Sequence, residues 1–229
     1  MMVMNYEKEL VDQLITSGEL VSRKNILAFR LIDRADFVPP ELAGQAYSNR
    51  PLAIGFGQTV SQPQTVAFML ELLKARPGQK VLDVGCGSGW QAALLAVVVG
   101  RNDDGQEMPP EQAGKVVSLE LIPELAKQAR KNLAKYNFLK QNIVSVHNLN
   151  AVSGYSPEAP YDRIISAATS ESVPPAWIEQ LKVGGRLVMP IGSNLVLGEK
   201  KTSGELKFLN YPGFAFVPFV SEDEDRQSP

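Results

Sequence analysis

Three observations predict an α/β fold with a doubly wound, mostly parallel sheet for this 229-residue chain. From position 77 onward, short apolar runs alternate with helical segments, the pattern of a parallel sheet covered by helices on both faces. The first run leads directly into closely spaced glycines, Gly85, Gly87 and Gly89, ahead of an apolar helix. The final third, Leu195 to Val220, has apolar runs broken by Gly and Pro without helical period, which predicts antiparallel strands ending the sheet.

Each element has its own signal. Leu10, Val11, Leu14 and Ile15 fall at helical spacing, and Ile26, Leu27, Phe29, Leu31 and Ile32 predict a second helix after Ser22, stopped by Pro39 and Pro40. Tyr47 to Pro63, rich in Gly, Pro and Gln, reads as a long ordered loop, and such loops in compact domains are often functional. Val66, Met69, Leu70 and Leu73 define an amphipathic helix over Gln64 to Leu73. Lys80 to Val84 is the first core strand and Gln91 to Val99 an apolar helix. Val116 to Leu119 is the second strand, after which Pro123 suits the first turn of a helix running through Leu133. Ile143 to Val146, Arg163 to Ala167, and Arg186 to Met189 after a Gly184-Gly185 turn supply three more strands. Polar Arg101 to Gly114 reads as a surface insertion. One domain is expected over 1–229: N-terminal helices and loop to 76, the α/β core over 77–192, C-terminal strands over 193–220 and a frayed acidic tail over 221–229.

Composition narrows the function. Hydrophobic residues make up 44% and charged residues 21%, enough apolar content for a sizeable core and too much for a disordered chain. Lys plus Arg number 23 against 25 Asp plus Glu, a net charge of -2, so no global positive field exists to hold nucleic acid or an anionic membrane. The N-terminus lacks a signal-peptide pattern and no run is apolar enough to span a bilayer, which predicts a cytoplasmic location. The single cysteine, Cys86, and single histidine, His147, cannot supply a disulfide, a usual zinc site or a Ser-His-Asp triad. No metal is expected. An enzyme built from this chain must need little help from imidazole or thiolate.

The segment VLDVGCGSGW, Val81 to Trp90, places its glycines between a strand and a helix N-terminus, where the backbone can turn tightly against a ligand. Its G-x-G-x-G spacing departs from the G-x-G-x-x-G of dinucleotide-binding loops, which favours a nucleoside over NAD. Glu120 ends the second strand at the sheet's carboxyl edge. Alone it reads as an exposed strand-end charge; beside the glycine loop it is a carboxylate that can accept both hydrogen bonds of a ribose diol. An adenosine-containing cofactor follows. Asp83 either pairs with loop amides near a cationic ligand or is a buried carboxylate capping the glycine loop. Ser61, two residues before Pro63 and an apolar helix, carries an N-cap signature. Cys86 reads as a small filler, His147 as structural or a pocket edge, and Tyr47 and Phe56 as loop packing or flanks of a peptide.

Further segments carry a family resemblance: R-x-x-FVP at Arg34 to Pro39, AYSNRPLAIGFGQTVSQPQ from Ala46 to Gln64, the glycine loop, APYDRII from Ala159 and QLKVGGRLVMPIG from Gln180. Over about Asn25 to Val220 the chain resembles the protein-L-isoaspartate O-methyltransferase family within the class I, Rossmann-like methyltransferases, with GQTVSQP the most specific piece. The resemblance implies S-adenosyl-L-methionine as cofactor and isoaspartyl proteins or peptides as substrate; a monomer is expected. It implies Ser61 as the active-site serine, and Gln58, Thr59 and Ser61 as a loop lying against cofactor and substrate. Cofactor contacts are expected at Asp83, Gly85, Gly87, Gly89, Glu120, Leu121, Asn150 and Ala151. The chain departs from the family pattern at Leu149-Asn150-Ala151, where Gly-Asp-Gly is usual, at Asn49 for Asp, and at Trp90 for Tyr. The alternatives are a related methyltransferase acting on another peptide or small-molecule carboxylate, and a silent binding module.

Overall fold

The computed structural model describes residues 6–219; the predicted acidic tail lies outside them. Helices α1 (Tyr6–Thr16) and α2 (Arg23–Leu31) precede the core. Two 3-10 turns at Arg34–Phe37 and Pro40–Gln45 precede the predicted ordered loop over Tyr47 to Pro63, which itself contains an antiparallel hairpin of β1 (Leu52–Gly55) and β2 (Gln58–Val60). The strands have only 4 and 3 residues, too few for alternation to register in the sequence.

Helix α3 (Pro63–Leu73) follows, with Pro63 in its first turn and Lys74 in the left-handed conformation at its end. The core then runs β3 (Lys80–Val84), α4 (Trp90–Gly100), β4 (Lys115–Glu120), α5 (Pro123–Ala134), β5 (Val144–Asn148), β6 (Tyr161–Ser166), α6 (Pro175–Gln180), β7 (Leu181–Ile191), β8 (Asn194–Lys200) and β9 (Leu206–Pro212). The seven-stranded sheet has order β5-β4-β3-β6-β7-β8-β9. Pairs from β5 through β7 are parallel and the last two antiparallel.

Alternation along each strand divides two cores. Val81, Val116 and Val188 face α3, α4 and α5, while Leu82, Val117 and Leu187 face α6 and the 3-10 turns near Ala151. All eleven residues of α4 are buried, because α2 covers the side that the sheet does not. That burial accounts for its lack of a polar stripe. Six-residue α6 was not predicted. Gly184 and Gly185 do not separate a turn from a strand; they form an irregularity inside the eleven-residue β7. The chain builds outward from β3 to β5, then returns to place β6 on the other side of β3. The order therefore reverses at the carboxyl end of β3, where open α/β sheets form their ligand crevice.

Candidate active site

The glycine loop sits at that reversal. Gly85, Gly87 and Gly89 all have positive φ, and the loop is tied to the neighbouring strand because Gly85 and Cys86 N–H both donate to the Leu119 carbonyl at 2.9 and 3.1 Å. Gly87 lies under the β1–β2 hairpin: a Cβ there would stand 3.0 Å from the end of Ile54. Gly89 has a different reason to be glycine. Its added Cβ would meet the Ala129 backbone and Leu133 at 3.3 Å, so it permits α5 to pack closely.

Glu120 is only 6% exposed. One oxygen accepts the Gly87 N–H at 2.8 Å and the other the Ile122 N–H at 3.0 Å. The carboxylate thus fixes the glycine loop to the start of α5 while keeping further lone pairs for a ligand. Burial raises its pKa, opposed by these backbone N–H bonds.

A slot above the sheet edge brings together Gln58, Thr59, Gly85, Gly87, Glu120 and Leu121 with Asn150 and Ala151. The Asn150 side-chain oxygen accepts the Val152 N–H at 3.0 Å. A backbone donor requires the oxygen in that position, so the amide NH2 is the group that remains for the slot.

Beside the slot opens a cleft of ≈ 1040 Å³ containing Ser61, Phe68 and Glu19. Slot and cleft share Thr59, Ala167, Val217 and Pro218, so a group held in one lies against a group held in the other. Ser61 is half-buried. The residue preceding α3 is Gln62, and the α3 amide of Gln64 is capped by the Asn49 side-chain oxygen at 3.0 Å. Ser61 therefore does not serve as the helix cap, and among the described residues none hydrogen-bonds to its hydroxyl. Asn49 retains the acceptor that an aspartate would present.

Two expected cofactor contacts fall elsewhere. Gly89 lies behind the loop at α5, and Asp83 is fully buried beneath it. Asp83 bonds neither loop amides nor the slot: its oxygens accept from Gln91 Nε2 at 2.8 Å and Ser118 Oγ at 2.9 Å. Burial pushes its pKa up to about 6, helped by the nearby Glu120 charge and opposed by those two bonds. A folded-state pKa above the unfolded value means that the folded protein binds more protons between about pH 4 and 6. Stability from this residue is therefore lost as pH rises through that window, at a cost on the order of 3 kcal/mol above it. Asp83→Asn is expected to melt several degrees above the parent at pH 8, with the gap about halved near pH 5 and largely closed by about pH 4 in a thermal-melting series. A variant that melts lower at pH 8 would contradict this reading.

Cys86 is a buried thiol whose pKa burial drives well up, unsuited to nucleophilic work. His147 stacks on Tyr155 at 4.2 Å and contacts Ser145 Oγ at 3.1 Å, outside both slot and cleft. Tyr47 donates to Asp33 at 2.7 Å, whereas Phe56 is 59% exposed at the hairpin tip. Sequence reasoning missed the wall formed by Val217 to Phe219. Its three residues follow no periodic pattern, and only tertiary pairing places them at the slot.

The chain's residues 4–224 match the model for protein-L-isoaspartate(D-aspartate) O-methyltransferase. The chain belongs to that family. Among its relatives, the protein-L-isoaspartate O-methyltransferase of Methanopyrus kandleri is 42% identical over 220 residues, covering 94% of this chain and 92% of the relative. That of Staphylothermus marinus is 40% identical over 222 residues, covering 95% of each. A solved protein-L-isoaspartate O-methyltransferase structure superposes with TM-score 0.80 at 26% identity, covering 96% of this chain and 69% of that one. A Plasmodium falciparum structure described as such an enzyme, in complex with S-adenosyl-L-homocysteine, superposes with TM-score 0.79 at 21% identity, covering 93% and 98%. It shares the methyltransferase fold.

Proposed function

We propose that this chain transfers a methyl group from S-adenosyl-L-methionine to the free α-carboxylate of L-isoaspartyl residues in damaged proteins or peptides, initiating their repair through a succinimide. The observation that carries the reading is the meeting of slot and cleft at Thr59 and Ala167, with the unengaged Ser61 hydroxyl on the cleft side.

The slot suits the cofactor. Glu120 retains acceptor capacity for a ribose diol, Leu121, Leu149 and Ala151 offer apolar surface for a purine, and Asn150 offers a donor. S-adenosyl-L-methionine, when bound, supplies a methyl group made electrophilic by the adjoining sulfonium. The chain's own residues have the simpler task of holding the acceptor. A carboxylate with a pKa of about 3.3 to 3.9 is ionised at neutral pH, so no general base is needed. This agrees with a cleft that contains neither His nor Cys. Ser61 donates a hydrogen bond to one carboxylate oxygen and fixes the other toward the slot; it supplies one part of an alignment of carboxylate, methyl and sulfur whose full value is roughly 7 to 11 kcal/mol. After ester formation, the nitrogen of the following backbone amide attacks the ester carbonyl and expels methanol, closing the succinimide without participation of the enzyme.

No helix among the described residues is long and apolar enough to cross a membrane, and the net charge of -2 offers nucleic acid no overall attraction. We read the enzyme as a cytoplasmic monomer that meets protein and peptide substrates. The test of the function is transfer of a radiolabelled methyl group to an isoaspartyl peptide in a base-labile linkage; label that survives base would reject a carboxyl ester.

A further inference from the structure

Arg34 is buried to 2% exposure, and among the described residues no carboxylate pairs with it. A buried cation without a counter-charge is costly, so its surroundings must compensate. Here they are backbone carbonyls. Nη1 donates to Ala46 O at 2.7 Å and Ser48 O at 3.3 Å. Nη2 donates to Arg50 O and Ser61 O, both at 3.0 Å, with Val60 O at 3.5 Å. The guanidinium lies 5.0 Å from the centre of the buried Trp90 ring, a cation–π platform beside the glycine loop. Burial lowers its pKa to about 10, which still leaves it charged at neutral pH.

The acceptors have a pattern. Arg50 and Ser61 flank the β1–β2 hairpin, and Ser61 lies between β2 and α3. One planar fork therefore closes the base of the hairpin and holds the residue that faces the cleft. A lysine ammonium lacks that fork and cannot reproduce the set.

We propose that Arg34 is a positioning residue for methyl transfer: through the carbonyls of Arg50 and Ser61 it sets the main chain that aims the Ser61 hydroxyl at the substrate carboxylate. This rests on the proposed role of Ser61. Trp90 supports the guanidinium from beneath, so the departure from tyrosine at that position falls on the same device.

The experiment is a double-mutant cycle of Arg34→Lys with Ser61→Ala, read as kcat and KM for an isoaspartyl peptide together with S-adenosylhomocysteine affinity by calorimetry. Arg34→Lys alone is expected to lower kcat roughly tenfold, since displacements near 1 Å can cost more than that, with cofactor affinity within about twofold. In the Ser61→Ala background it should cause no further slowing. Trp90→Phe keeps the fork but weakens its platform, and is expected to slow the parent about two- to threefold and the Ser61→Ala enzyme not at all. It supplies the cycle if Arg34→Lys does not fold. Equal slowing in both backgrounds, or loss of cofactor affinity in step with kcat, overturns the positioning role. A parent-like rate for Ser61→Ala alone removes the role of Ser61 and this proposal with it, while methylation of the peptide would still stand.

Discussion

Ser61→Ala is expected to slow methyl transfer to an isoaspartyl peptide about 10- to 100-fold while leaving S-adenosylhomocysteine affinity nearly unchanged. A hydrogen bond to a charged group contributes roughly 1.5 to 3 kcal/mol. The Ser61 hydroxyl has no hydrogen-bond partner among the described residues and lies in the cleft beside the slot, so its removal breaks no bond holding the fold. The hydroxyl's contribution is alignment, and its loss should register in kcat more than in KM if the bond strengthens as the carboxylate reaches its reactive position. Single-turnover transfer measured beside calorimetric binding separates the two. Equal loss of cofactor affinity would place Ser61 in the nucleoside site instead.

Glu120→Ala should act in the opposite sense, weakening cofactor binding by roughly 1.5 to 3 kcal/mol or more, about 10- to 150-fold. The lower figure counts ribose bonds alone. The structure adds a second loss, because the same carboxylate holds the Gly87 and Ile122 amides. For that reason Glu120→Gln is not a conservative change. Each carboxylate oxygen faces a backbone N–H, so one of them would confront the NH2 of glutamine, donor against donor. The glutamine variant is expected to bind S-adenosylhomocysteine about as poorly as the alanine variant. Near-parent affinity of either would remove Glu120 from the cofactor site.

The difference between Glu120 and Asp83 illustrates what could be read from the sequence. Both are acids at or near strand ends beside the glycine loop. Glu120 ends its strand and its position at the sheet edge was legible. Asp83 lies one residue earlier, and its partners come from α4 and β4, a contact visible only after the strands are paired. The parallel core was legible because its strands are continuous apolar runs separated by amphipathic or apolar helices. The β1–β2 hairpin and α6 were not, being shorter than the periods that would reveal them. Gly89 was grouped with its neighbours by spacing, although its constraint is the proximity of Ala129 on α5. Arg34 lies within the R-x-x-FVP motif, but it bonds carbonyls up to 27 positions away, which no local pattern contains.

The most direct test of the account compares two peptides identical except that one carries L-isoaspartate where the other carries normal aspartate, each incubated with the protein and radiolabelled S-adenosyl-L-methionine. They differ only in where one methylene lies, in side chain or main chain, so an apolar pocket would discriminate weakly; a hydrogen-bonding site can reject the wrong isomer because the displaced carboxylate leaves its donor unpaired. Base-labile label is expected on the isoaspartyl peptide and none above background on the aspartyl peptide. Equal labelling of both peptides, or labelling of neither while S-adenosylhomocysteine binds, would contradict it.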